Sequence, residues 1–400
     1  MLRPRGVVPL MMLGLASAPS VAFAAESEDA PWVLRGRFGD GVTFESPDGE
    51  TGLRLGARMQ LRGTGTLLDD SASESGVDAQ IRRMRVTLEG HTFGEALSFK
   101  VQLAAATGDL DPEAPSIVRD AYVTWAPVRD LKLRAGQTKV PFGRQRVVSS
   151  GNLQLVDRSI ANAELNLDRD VGLYAYSDDL FGLGGWLGYR VGVFGGDGRN
   201  RVTEGSGVLV AGRLEVRPSG GGVRVDAGEA DLSRSEVPRL TVGVSAATNR
   251  RSDRERSTVG GVFATGPWAN YDHAGADYAF MWSGLSLSGE VWLREAEEDE
   301  HSRVVDGELV TDRARTGWGG YVQAGQMLGP IVEIVGRYAA TLPLGPVGGG
   351  VASRREIGGG VSVYVVGHAL KLQSDVFRIV TSDPGDSDET VGRVQIQVAP

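Results

Sequence analysis

Three residue types are scarce or missing in this chain: it has no cysteine, four histidines and, among 42 basic residues, only four lysines. The absence of cysteine excludes disulfide scaffolds, thiolate metal sites and cysteine nucleophiles. The histidines, at positions 91, 273, 301 and 368, show no partner for a metal centre or for a lipid hydrolase embedded in a barrel. We therefore predict no metal, no cofactor and no enzymatic activity.

The chain also lacks a long hydrophobic segment, since no stretch beyond its N-terminus approaches the ~18–20 apolar residues that a membrane helix needs. The N-terminus itself has two arginines, an apolar stretch over 7–16 and the small-residue site Ala22-Phe23-Ala24. This layout is typical of a secretory signal peptide. We predict that residues 1–24 are cleaved on export, and that 25–50 form a short N-terminal lead.

Glycine is abundant: the 57 glycines are about twice the usual fraction of roughly 7%. Because glycine is unfavourable inside helices, this composition argues against a mainly helical protein. From residue 51 onward apolar and polar residues alternate, as in 53–62, where Leu53, Leu55 and Ala57 alternate with arginines and glycine. Such period-two patterns indicate strands with two different faces. Sixteen of these segments follow one another to residue 400.

The connections between the segments alternate in length. Tight turns such as 93–95 and 127–130 alternate with longer polar loops, and only 218–238 is long where a tight turn is expected. Tight turns on one rim and long loops on the other are typical of an up-and-down barrel, whereas a soluble sandwich or propeller predicts no such regularity. We predict an all-β fold: a transmembrane antiparallel up-and-down β-barrel of about 16 strands over 51–400.

Several motifs in the first half of the chain resemble the phosphate-selective porin O/P family. In chain order they are 44–49 (FESPDG), 53–60 (LRLGARMQ), 82–90 (RRMRVTLEG), 120–123 (DAYV), 136–143 (GQTKVPFG), 157–159 (DRS) and 169–172 (RDVG). Beyond about residue 220 only the strand pattern is similar. The resemblance implies an outer-membrane porin, usually trimeric, with a basic lumen that passes phosphate or polyphosphate. It also implies that the third loop, 139–169, folds inward as a constriction.

The sequence departs from the family in two features. Members generally end in an aromatic residue, whereas this chain ends Val398-Ala399-Pro400. Anion-selective members carry lysine-rich channels, whereas the basic residues here are nearly all arginine.

The alternation along each strand identifies candidate pore residues, because the polar face of each strand in a membrane barrel lines the lumen. Strands one to five place eight cations there against the two carboxylates Glu89 and Asp120, a balance of +6. Those cations are Arg54, Arg58, Arg62, Arg83, Arg85, Lys100, Lys132 and Arg134. The third loop adds Lys139, Arg144, Arg146 and Arg158, the last three as constriction candidates. The alternative is a polar wall whose arginines pair with nearby acids, or an external loop that packs against another subunit.

The formal net charge of −9 disfavours nucleic acid as a partner. The predicted function is nevertheless passive diffusion of small anions, phosphate-like in character, because the lumenal face is basic where the whole chain is acidic. Arginine suits such ions because its planar fork donates hydrogen bonds in pairs. The alternatives are a general small-solute porin with little anion preference and a plugged structural or adhesive barrel. The other predicted partners are outer-membrane lipid and two further copies of the chain.

Overall fold

Sixteen antiparallel strands form the wall of the molecule in a computed structural model that describes residues 32–69, 76–110, 116–201, 207–218, 222–224, 227–264, 266, 268–298, 300–305, 307–344, 350–382 and 388–400. The predicted signal peptide lies outside these residues. The strands are β1 Gly52–Leu68, β2 Gly76–Thr92, β3 Leu97–Ala104, β4 Val118–Val128, β5 Leu131–Lys139, β6 Arg169–Ser177, β7 Leu187–Phe194, β8 Val208–Val216, β9 Arg239–Ser252, β10 Ala269–Trp282, β11 Leu285–Ala296, β12 Gly317–Met327, β13 Val332–Pro343, β14 Arg354–His368, β15 Leu370–Thr381 and β16 Glu389–Val398.

The sheet closes on itself, because β16 pairs with β1 in a register that runs from Glu389 opposite Leu68 to Val398 opposite Met59. Each other strand pairs with the strands before and after it in the chain. The predicted sixteen-stranded antiparallel barrel is therefore confirmed.

The two faces of the wall differ in the way that the period-two pattern predicts. In β12, Trp318 and Val322 are 44% and 53% exposed, whereas Tyr321 and Gln323 between and beside them are 5% and 3% exposed. The same contrast recurs around the wall, with valines, leucines and isoleucines outside and arginines, glutamines and acids inside. An apolar outer face around a polar interior is the arrangement of a barrel surrounded by lipid.

The long connections carry small elements of their own. One short hairpin pairs Arg254–Arg256 with Val259–Val262, and another pairs Glu300–Val305 with Glu308–Arg313. Two short helices, α1 Arg144–Val147 and α2 Ile160–Leu165, lie in the connection between β5 and β6. Among the described residues no helix has the length and apolar character needed to span a membrane.

The N-terminal lead also contains regular structure. Val33–Arg37 and Gly41–Glu45 form a hairpin, and its second strand pairs with the start of β1, from Glu45 opposite Gly52 to Val42 opposite Leu55. Because β16 reaches only as far as Met59 along β1, this hairpin covers the edge that β16 leaves unpaired.

Candidate functional site: the constricted lumen

The connection between β5 and β6, residues 140–168 and hereafter the β5–β6 loop, is hydrogen-bonded to β1 and to strands on the far side of the barrel from β5 and β6. Arg58 of β1 donates to the hydroxyls of Ser149 and Ser150 at 3.0 and 2.9 Å. On the far side Ser362 of β14 donates from its hydroxyl to the carbonyl of Gln154 at 2.5 Å, and Lys371 of β15 donates from Nζ to the carbonyl of Leu153 at 2.7 Å. These contacts place the middle of the loop across the lumen.

Local sequence explains how the loop turns away from the wall. Gly143 has φ 73°, a left-handed conformation that glycine adopts readily, and α1 begins directly after it. Further along, the Ser159 hydroxyl caps α2 by accepting from the backbone N–H of Asn162 at 3.1 Å. The loop is anchored by apolar residues, including the fully buried Phe142 and Leu165, which belong to a cluster with wall residues such as Trp292.

The tip of the loop fills the lumen beside β11 to β15 with polar contacts. The Gln154 amide nitrogen donates to Ser286 Oγ and Glu333 Oε1, each at 2.5 Å, and its Oε1 accepts from Gln323 at 2.7 Å. The backbone N–H of Val156 donates to Asp375 at 2.9 Å. This part of the lumen is closed by paired groups.

Half of the twelve predicted pathway cations are paired with carboxylates. Arg54 and Lys100 both form salt bridges with Glu89. Arg85 forms a bidentate salt bridge with Asp109, with N–O distances of 2.5 and 2.7 Å. The remaining pairs join Arg62 and Arg83 to Asp157, at 2.8 and 3.3 Å, and Arg146 to Asp168, at 2.9 Å. Loop carboxylates thus neutralise part of the basic wall.

The other six have no carboxylate partner among the described residues, and three of them donate to backbone carbonyls. Lys139 donates to the carbonyl of Val147 at 2.7 Å, and Arg158 to those of Gln145 and Val148. Arg144, 2% exposed, donates to the carbonyl of Arg224 at 2.6 Å. The remaining three are Arg58, Lys132 and Arg134.

Arg134 is held by aromatic rings. Its guanidinium lies 4.1 Å from the centroid of Tyr122, and 5.4 and 5.3 Å from those of Tyr174 and Tyr176. Its Nε donates to the Thr124 hydroxyl at 3.0 Å. A second neutral hydrogen bond runs to the Tyr176 hydroxyl at 3.2 Å. Cation–π contacts and two neutral hydrogen bonds thus orient this side chain without neutralising it.

A cavity of about 170 Å³ lies where the loop faces β2, β4, β5 and β6. Nine of its lining residues are basic, against the two carboxylates Asp109 and Asp168: Arg82, Arg83, Arg85, Arg119, Lys139, Arg146, Arg158, Arg169 and Arg199. The predicted constriction candidates Arg146 and Arg158 line it, whereas Arg144 lines a separate cavity of about 10 Å³ on the other side of the loop.

Simple alternation along the strands did not identify two of these arginines, because each is the extra residue at a register shift. The pairing of β1 with β2 passes from Gln60–Arg83 to Leu61–Ile81 and skips Arg82. The pairing of β3 with β4 skips Arg119 in the same way. A β-bulge re-aims the side chains around it, so simple alternation misassigns its residues. Arg169 is the first residue of β6 and Arg199 lies in the connection between β7 and β8, where alternation gives no clear signal.

Larger cavities continue this space toward the rim of tight turns. One of about 350 Å³ shares Arg85 with the first, and one of about 730 Å³ shares Arg54, Glu89 and Lys100 with the second. The largest is bordered at the rim by Glu95, Ala96 and Arg129, among others. The three cavities adjoin one another and together mark a route along the wall of β1 to β5.

Two carboxylates on this route stay ionised: Asp157 of the β5–β6 loop and Asp109 of the connection between β3 and β4. Burial opposes ionisation of Asp157, but Arg83 and Arg62 hold its pKa below the usual value. The pKa of Asp109 is likewise lowered, because Arg85 and Arg119 outweigh the effect of burial. Their charges are balanced by the surrounding arginines, which leave the route basic.

The closed barrel, with its apolar outer face and narrowed polar lumen, defines the class of the outer-membrane porins. A family model described as phosphate-selective porin O and P matches residues 53–330. The chain belongs to that family, as its motifs predict. It is a channel protein of the bacterial outer membrane, and the family and fold are known as channels rather than enzymes.

Solved porins share the architecture at low sequence identity. The anion-selective porin from Comamonas acidovorans is 13% identical, with a TM-score of 0.57 over 88% of this chain and 100% of that chain. Salmonella typhi OmpF in complex with daunomycin is also 13% identical, with a TM-score of 0.57 over 87% and 98%. The outer-membrane channel DcaP of Acinetobacter baumannii is 12% identical, with a TM-score of 0.56 over 89% of this chain and 99% of that chain. A search of curated protein sequences found no match.

Proposed function

We propose that this porin conducts small anions, phosphate or polyphosphate in particular, by passive diffusion along the wall of β1 to β5. The observation that carries the proposal is the cavity of about 170 Å³ beside the β5–β6 loop, with nine basic and two acidic lining residues. An ion that enters this space loses part of its hydration shell, and only anions are compensated there by the surrounding charges.

Arginine is chemically suited to this task. Its guanidinium stays charged at any working pH and offers paired donors that match phosphate or carboxylate oxygens. Because Arg54, Arg58 and Arg85 border the adjoining cavity, an anion meets successive weak sites instead of one trap, as conduction requires. The family's description as phosphate-selective and the anion selectivity of the Comamonas porin support this proposal.

We further propose that the chain is exported with cleavage after Ala24 and assembles as a homotrimer in the outer membrane. Loop 140–168 acts as the constriction of each barrel. Lipid contacts the apolar outer face.

The test is the reversal potential of the purified protein in planar bilayers under a potassium chloride gradient. We expect anion selectivity, and chloride conductance that falls when phosphate is added. A cation-selective or unselective channel would favour the general small-solute porin, and the absence of channels from folded protein would favour a plugged structural barrel.

Charge removal within the cavity makes the test specific. Arg119→Gln with Arg146→Gln removes two cavity cations, and we expect the preference for chloride over potassium to fall several-fold. The matched control is Arg35→Gln with Arg37→Gln, which removes the same charge from the exposed N-terminal hairpin. Equal effects of both pairs would contradict a local role for the cavity.

A further inference from the structure

One connection on the rim of tight turns is far longer than its neighbours. Residues 217–238, hereafter the inner segment, join β8 to β9, whereas β10 and β11 are joined by Ser283-Gly284 and β14 and β15 by Ala369 alone. A hairpin needs as few as two residues to reverse the chain. The additional length is therefore available for another purpose.

The described part of the inner segment lies inside the barrel. Val223 is fully buried and packs against Ala279, a residue on the inner face of β10. Its backbone N–H donates to the hydroxyl of Thr241, on the inner face of β9, at 2.8 Å. Ala230 packs against Tyr364, on the inner face of β14. The segment thus reaches from β9 across to β14.

The inner segment meets the β5–β6 loop in the lumen. Glu229 accepts from the backbone N–H of Gln154 at 3.0 Å and from the side chain of Gln323 at 3.1 Å. In return, the backbone N–H of Glu229 donates to the carbonyl of Asn152 at 3.0 Å. The guanidinium of Arg144 provides a second contact through the carbonyl of Arg224.

The segment is also fastened to the rim. The Asp231 carboxylate accepts from the backbone N–H groups of Gly284 and Ser235, each at 2.9 Å. Ser283 donates its N–H to the carbonyl of Ser235 at 2.8 Å. Fixed at the rim and at the loop, the segment has little freedom to leave the lumen.

The space on this side of the loop is small and lacks the basic excess of the other side. The cavity bordered by Arg144, Glu229 and Tyr321 is about 10 Å³, against about 170 Å³ on the basic side. Its charged lining residues among the described part of the chain are one cation, Arg144, and one acid, Glu229. A passage opened here would therefore not favour anions.

We propose that the inner segment is a second pore-narrowing element: it closes the lumen between β9 and β14 from the rim of tight turns, seats the β5–β6 loop, and confines ions to the wall of β1 to β5. The consequence for anion selectivity depends on the proposed function above. The closure of the lumen between β9 and β14 does not depend on that function.

The direct test replaces residues 218–237 by Asn-Gly. Because Val216 pairs with Val242, this leaves a short hairpin loop of about five residues between 217 and 241, within the common range for hairpins. We expect single-channel conductance to rise roughly twofold and the preference for chloride over potassium to fall, because a wider path opens that is not lined by an excess of arginines. A replacement variant that folds, as judged by heat-modifiable mobility on gels, but conducts and selects like the wild type overturns the proposal.

A disulfide tests the placement without removing the segment. A Cβ at Gly228 would lie 3.6 Å from Cβ of Asn152, within the range of disulfides of about 3.5–4.5 Å. The same Cβ would lie 2.9 Å from Nε2 of His368, at the movable end of that side chain. Since the chain has no cysteine, any cross-link in Gly228→Cys/Asn152→Cys joins these positions.

We expect the cysteine pair to cross-link in the folded barrel and to keep the wild-type conductance when oxidised. The control pair is Gly184→Cys/Asn152→Cys, where position 184 lies in another tight turn with nothing near its Cβ. Failure of the Gly228 pair to cross-link, or cross-linking of both pairs alike, overturns the proposed placement. An unselective wild type would refute the proposed function alone, since conductance and cross-linking still test the closure.

Discussion

At the scale of single residues, the cations along the route have three different tasks. Arg62 and Arg83 are paired with Asp157 and hold the β5–β6 loop to the wall, and Arg85 is paired with Asp109 of the connection between β3 and β4. Lys139 and Arg158 bind loop carbonyls. The cations free of carboxylate partners within the described structure, such as Arg134, are those whose field reaches the permeating ion with least cancellation.

Arg134→Ala should therefore weaken anion selectivity without loosening the loop. The guanidinium contacts three tyrosine rings and two hydroxyls and no part of the β5–β6 loop, so its loss removes a charge and not an anchor. We expect the chloride-to-potassium permeability ratio to drop roughly twofold by reversal potential. Arg35→Ala, at an exposed residue of the N-terminal hairpin paired with Glu45, is the matched control and should leave the ratio unchanged. An equal or larger effect from Arg35 would mean that the charge at Arg134 has no special part in selectivity.

The response to pH follows from the loop carboxylates. Burial disfavours their ionisation, but Arg85 beside Asp109 and Arg83 beside Asp157 lower both pKa values. A carboxylate with a lowered pKa stabilises the folded state above its ordinary value of about 3.9, and the stabilisation disappears only as the pH falls through the lower folded value. Because both carboxylates stay ionised from pH 8 to pH 5, we expect the difference in reversal potential between the wild type and Asp157→Asn to stay constant over this range. A change with a midpoint near pH 6 would mean that another group controls the loop.

At the scale of elements, period two predicts the strands and their faces, and fails where an element is irregular. The arginines of β1 lie on the lumenal side, as the alternation of polar and apolar residues predicts. Arg82 and Arg119 occupy register shifts, and a bulge depends on the pairing partner as well as on the strand's own sequence. The carboxylates that neutralise Arg62 and Arg85 come from connections, whose course is decided by tertiary contacts. The family motifs indicated an inward loop, but not which half of the lumen it fills.

Gly143 is the point where the β5–β6 loop leaves the wall, and it has two reasons to be glycine. Its φ of 73° strains other residues, and an added Cβ would lie 2.5 Å from Glu290 Oε1 and 2.8 Å from Trp292 Nε1. Gly49 has a similar φ of 70° with nothing within 4 Å, so Gly49→Ala reproduces the backbone strain of about 1–2 kcal/mol without the crowding. We expect Gly143→Ala to lower the thermal transition on gels and to raise current noise more than Gly49→Ala does. Equal shifts would mean that crowding at the loop's start has no effect.

At the scale of the whole molecule, the barrel is asymmetric. The β5–β6 loop and residues 217–238 occupy one side of the lumen, while the cavities follow β1 to β5. The formal charge of the chain is −9, yet the narrow cavity has nine basic and two acidic lining residues. We therefore expect the distribution of charge, and not its total, to decide which ions this channel admits.

The dependence of selectivity on salt separates the local field from that of the whole chain. The Debye length is about 10 Å at 0.1 M salt and about 3 Å at 1 M, so high salt screens distant charges but not groups that touch the ion. If the arginines of the narrow cavity set the selectivity, chloride remains preferred at 1 M, and the preference strengthens only modestly at 0.1 M. Reversal potentials under equal concentration ratios around the two salt levels measure this. If the preference for chloride disappears at 1 M, diffuse surface charge and not the narrow cavity sets the selectivity, because a close contact between anion and arginine would survive screening.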